Sequence, residues 1–109
     1  MTTVRRIPPR HELPDVDAAA LDAARAADAL VAAARDMGNE RWLRYLAPLP
    51  DRLRDDALPD LRSAARLARA AYGPKDSIRD SLPWGLTEAF LERIDRLIRA
   101  INRWDANRG

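Results

Sequence analysis

The chain has no cysteine, so disulfides and thiolate zinc sites are excluded. Its single histidine, His11, has no second histidine or thiol to pair with, and it reads as a solvated residue, neither a metal ligand nor a catalytic base. Only four glycines occur, and none forms a phosphate-cradling loop. The apolar runs are a few residues long, far short of the ~20 needed to span a bilayer. The first fourteen residues, MTTVRRIPPRHELP, lack the apolar stretch of a secretory signal. The expectation is a cytoplasmic protein with no membrane contact. Lysine is almost missing as well: Lys75 is the only one among 19 basic residues. With so much alanine beside it, this arginine bias reads as genomic composition, so the pI of about 9.6 is not by itself a sign of nucleic acid.

What is present is helix. The most strongly patterned stretch is LTEAFLERIDRLIRAINRW, where Leu86, Phe90, Ile94, Leu97, Ile101 and Trp104 recur at spacings of 4, 4, 3, 4 and 3. That spacing lays one continuous apolar stripe along an α-helix and forms no strand face. Leu91 and Ile98 widen it. The opposite face carries Glu88, Glu92, Arg93, Asp95, Arg96, Arg99 and Arg103, with Glu92/Arg96 and Asp95/Arg99 in the favourable acid-then-base i,i+4 order. The pattern predicts a helix over 84–105.

A second long helix is predicted over 16–37, with Asp15 as N-cap and Gly38 as the residue that ends it. Its stripe is Val16, Ala20, Ala23, Ala27, Leu30, Ala34 and Met37, and alanine dominates the first half. Small residues there allow a neighbouring helix to approach closely. The helix is about 33 Å long at 1.5 Å per residue, a match for the C-terminal one. Its acids Asp17, Asp22, Asp28 and Asp36 are positioned to face arginines of another helix or subunit.

Between the two, Asn39 can cap a short helix carrying Trp42, Leu43, Tyr45 and Leu46, and Pro48 and Pro50 divide it from a second short piece ending near 57. A medium helix over 59–72 follows, with core face Leu58, Leu61, Ala65, Ala68 and Tyr72 and an end at Gly73-Pro74. Asp76 or Ser77 caps one further turn. The fold class is all-α: a small helical bundle with long helices at about 16–37 and 84–105, a medium helix at about 59–72, and short helices between 40 and 57. Residues 1–14, with Pro8, Pro9 and Pro14, read as an extended or disordered basic arm, and 15–109 as one domain.

The sequence points to no catalytic residue, cofactor or metal site, and no string carries a family motif in its proper place and order. The expectation is a non-enzymatic protein-protein interaction module: a small helical adaptor, regulator or complex subunit. The apolar stripes of both long helices are wider than one short partner covers, which predicts self-association as a homodimer. The alternative is a nucleic-acid-binding subunit that uses two arginine rows, Arg62, Arg66, Arg69 and Arg96, Arg99, Arg103, whose spacing lines each set along one helix face. The competing account of those rows is ion pairing with the acidic blocks 12–40 and 76–95. Trp84, between Pro83 and Gly85, either plugs the end of the bundle or protrudes as an interface anchor.

Overall fold

The computed structural model describes residues 7–107. Among them the chain forms five α-helices, two 3-10 turns and no strand: α1 (Pro14–Asp36), α2 (Glu40–Leu46), α3 (Leu49–Asp55), α4 (Leu58–Ala70) and α5 (Trp84–Asn107). The two long helices lie antiparallel. Leu13 and Val16 at the start of α1 share a cleft with Ala100 and Trp104, whereas Ala26 and Ala29 border Leu86 and Ala89. Helix α1 packs on α5, α3 and α2, while α4 packs on α5 and α3. The bundle therefore has four positions, with α1 diagonal to α4 and the short α2 and α3 together filling the fourth.

The core is one cluster. Helix α1 contributes Val16, Ala19, Ala20, Ala23, Ala24, Ala27, Leu30 and Ala34, and α5 contributes Phe90, Ile94, Leu97, Ala100 and Ile101. Leu46, Leu49, Leu53, Leu58, Leu61 and Ile78 fill the remainder. Each fully buried leucine, isoleucine or phenylalanine contributes about 1.5–3 kcal/mol, while the alanines contribute less area and more proximity. The middle of both long stripes is thus buried inside a single chain, while Leu86 and Trp104 at the ends of the α5 stripe are half-buried and Met37 at the end of the α1 stripe is exposed. Helices α2 and α3 cover α1 on the side that α5 leaves open, which narrows the surplus apolar face behind the expectation of a homodimer to the partly exposed Leu21, Val31, Leu86, Leu91, Ile98 and Trp104.

The start of α1 also differs from expectation. Asp15 is not the N-cap; Leu13 holds that place without a side-chain cap, and Pro14 is the first helical residue. Proline at that position needs no N–H partner and has its φ preset for helix. Asp15 and Asp17 remain in the first turn, where acids complement the dipole. Of the arm expected over 1–14, residues 1–6 lie outside the described residues, and the rest is folded down. Arg10–Glu12 form a 3-10 turn. Arg10, whose side chain is only 10% exposed, donates from Nε to Asp17 Oδ1 at 2.9 Å and from Nη1 to the carbonyl oxygens of Leu53 (2.7 Å) and Asp56 (3.3 Å). Those carbonyls belong to the last turn and cap of α3 and have no acceptor role inside the helix. One arginine therefore fastens the N-terminal segment to both α1 and α3.

The other caps follow the sequence. The Asn39 side chain accepts from Trp42 N at 3.2 Å and starts α2. The Ser77 side chain accepts from Arg79 N at 3.2 Å, so Ser77 is the cap of the turn at Ile78–Asp80, and Asp76 precedes it with φ +52°. Gly38 has φ +64°, and two bonds close the end of α1: Asn39 N to Ala34 O at 2.8 Å and Gly38 N to Arg35 O at 3.1 Å. This is the Schellman arrangement, which a Cβ at that φ strains. Gly38→Ala is expected to lower stability by about 1–2 kcal/mol in urea unfolding. Since a Cβ there meets no atom within 4 Å, φ alone is responsible. A loss below a few tenths of a kcal/mol contradicts the assignment.

Candidate functional site

The two arginine rows lie on neighbouring antiparallel helices, and the structure divides them. Arg62 of α4 donates to Asn102 Oδ1 at 3.1 Å and pairs with Asp105 of α5. Seven residues on, Arg69 pairs with Asp95 at 3.1 Å. Arg96 bonds Glu92 on its own helix at 2.7 Å. Arg66, Arg99 and Arg103 are exposed and have no acid partner among the described residues. The rows are therefore not one free cationic band. Three members are spent on orienting α4 and α5 or on the helix surface, and three remain open to solvent.

Acids of α1 find arginines as the charge blocks suggest, but within the chain. Asp17 takes Arg10, and Asp28 takes Arg54 of α3 at 2.8 Å, with Asp51 also on Arg54 at 3.0 Å. These two carboxylates hold the Arg54 pKa above its ordinary value. Asp22 stays with Arg25 on α1 at 3.6 Å. Exposed pairs of this kind contribute ~0–1 kcal/mol each, so their role is registration of the helices more than stability.

Trp84 is 71% exposed at the first residue of α5. It does not plug the bundle end. Ile78 and Leu82, which precede it in the chain, do that and are buried. Tyr72 closes the same end. Its hydroxyl donates to the Thr87 carbonyl, and burial, with Glu88 nearby, pushes its pKa up. Arg79 lies over the Tyr72 ring, 5.4 Å from the centroid, and reaches Glu88 with two bonds of 2.8 and 2.9 Å. Two further aromatics are core: Trp42 is buried edge-on to the half-buried Tyr45 at 5.3 Å, and Phe90 is fully buried. Trp104 is half-buried.

Sequence pattern did not single out Arg10, Arg79 or Thr87. A buried threonine at a helix start has a faint signal, because Thr87 bonds back to the Trp84 carbonyl at 3.0 Å. Arg10 and Arg79 have none, since their partners come from remote elements or depend on a loop path.

The surface carries several open clefts. One of about 420 Å³ lies between the start of α1 and the last turns of α5, and one of about 280 Å³ lies between Ala26, Ala29, Leu86 and Ala89. Among the described residues there is no group of three or more histidine or carboxylate side chains placed to hold a metal ion. No helix in that range is long and apolar enough to cross a membrane. Comparison of the chain with protein-family models, curated proteins and solved structures finds no match.

The Arg79–Glu88 pair makes a direct test of these surface contacts. The hydrogen bonds from Arg79 hold the Glu88 carboxyl below its ordinary pKa. A depressed carboxylate contributes stability that is fully present above the ordinary glutamate value and is lost as pH falls through the lowered one. Carboxyl NMR titration of Arg79→Gln should show the Glu88 midpoint moving up toward that ordinary value. An unmoved midpoint shows the pair is not populated in solution.

Proposed function

We propose that this chain is a non-catalytic protein-protein interaction module, a small helical adaptor, regulator or complex subunit working in the cytoplasm. The carrying observation is Trp84, a large apolar side chain left 71% exposed on the first turn of a well-packed helix. Tryptophan is enriched among binding hot spots because it buries much area and keeps few degrees of freedom. The next residue supports the same reading. Gly85 sits inside the first turn of α5, where glycine costs up to ~1 kcal/mol relative to alanine. A Cβ built there meets nothing within 4 Å, so packing inside the chain does not require glycine. A partner lying close against the backbone beside Trp84 accounts for it.

Self-association belongs to this reading mainly through Trp84, because the long stripes are covered along most of their length and only partly exposed at Leu86, Leu91, Ile98 and Trp104. The nucleic-acid reading keeps one specific support, the open side chains of Arg66, Arg99 and Arg103. It is weakened by the carboxylates that occupy Arg62, Arg69 and Arg96. Phosphate tracking by three arginines gives a salt slope of roughly −2 to −3 in log K against log salt.

The test compares wild type with Trp84→Ala and Gly85→Ala in light scattering behind size exclusion and in quantitative co-purification from cell extract. Trp84→Ala should leave thermal stability within about 0.5 kcal/mol of wild type, as expected for an exposed side chain. It should also abolish either dimer formation or retention of one defined protein, with Gly85→Ala weakening the same contact. If neither variant changes any association, and wild type binds single-stranded RNA with the stated salt slope, the nucleic-acid reading replaces this one.

A further inference from the structure

The arginine row of α4 meets α5 at three levels, and carboxylates occupy only two. Arg62 is matched by Asp105 and Asn102, and Arg69 by Asp95. Arg66 lies one turn from each and is level with Ile98, where α5 offers no acid. A notch of about 100 Å³ opens between the helices at this level, lined by Arg62, Ala65, Arg66, Ile98, Ile101 and Asn102. Its floor is aliphatic, from Ala65, Ile98 and Ile101. Its rim is polar and cationic. Asn102 commits its Oδ1 to Arg62, which leaves an amide NH2 with no acceptor among the described residues. Arg62 is itself held by Asp105 and Asn102, whereas Arg66 is exposed and holds no acid among the described residues.

We propose that this notch binds a small aliphatic monocarboxylate. The carboxylate takes, at Arg66, the place that Asp105 and Asp95 take at Arg62 and Arg69. Its short alkyl group rests on Ala65, Ile98 and Ile101. A planar guanidinium and a carboxylate pair through two parallel hydrogen bonds, and the Asn102 amide adds a donor. The recess is the smallest of the clefts described and suits a short-chain acid. A tetrahedral phosphate fits worse, because it turns charged oxygens toward a floor with no donors. The site lies on α4 and α5 away from Trp84 and does not depend on the interaction reading.

Backbone amide NMR titration tests it, with butyrate as the probe, butyramide as its uncharged counterpart and inorganic phosphate as charge without a tail. Butyrate should give saturable shifts confined to residues 62–66 and 98–102, and butyramide none. Arg66→Gln should weaken butyrate binding about tenfold or more, as loss of a charge-assisted pair does. Because Arg66 holds no ion pair, that variant should melt as wild type does, and Arg41→Gln, on α2, should bind like wild type. The proposal is overturned by shifts that do not saturate, that spread over the arginines of every helix, that survive Arg66→Gln, or that phosphate reproduces at equal strength. Trp84→Ala should bind butyrate unchanged, which separates failure here from failure of the interaction reading.

Discussion

The close approach of α1 to its neighbours is the constraint on which the rest of the structure depends. Six of the eight buried residues of α1 are alanines, five of them without any exposed surface. Alanine loses no side-chain entropy in a helix and adds almost no thickness. Larger side chains from α3 and α5, such as Leu53, Phe90, Ile94 and Leu97, share one buried cluster with these alanines and fill the interior. The bundle gains a tight axis from residues that individually bury little area. The short α2 and α3 are enough to cover most of α1 on its second side.

Charges then fix the arrangement that the apolar residues allow. Arg10 ties the N-terminal turn to α1 and α3, Arg54 ties α3 to α1, and Arg62 and Arg69 set the register of α4 against α5. None of the exposed pairs contributes much energy, but a slipped register places like charges together and leaves Arg10 buried without its carbonyls. The alternation of acidic and basic blocks along the chain is in this respect an internal code. It also explains why half of the two arginine rows is already occupied.

Helix identity and most boundaries were legible because they rest on local rules: 3.6-residue periodicity, Gly38 at a left-handed φ, Asn39 and Ser77 as caps, and Pro59 in a first turn. The start of α1 was misplaced by two residues because Pro14 serves as a first helical residue as readily as it serves an extended arm. Coverage of the stripes was not legible, since periodicity shows that a face is apolar and not how many neighbours cover it. The same holds for the arginines. Spacing placed Arg62, Arg66 and Arg69 on one face, but only the antiparallel register decides that Asp105 and Asp95 meet the outer two and Ile98 the middle one. Trp84 was open between two readings because Pro83 can direct the chain either way, and the exposed position follows from Leu82 and Ile78 having taken the buried end.

The measurement that tests the central claim most directly is the stability of Ala23→Leu. Ala23 has no exposed surface and lies in the alanine face of α1. If close approach organises the bundle, the added side chain must push neighbouring helices apart, and chemical denaturation should show a loss of about 1–3 kcal/mol with an unchanged fold by circular dichroism. A variant as stable as wild type, or more stable, would mean that the interior has slack at this position and that alanine spacing is not what holds the helices together.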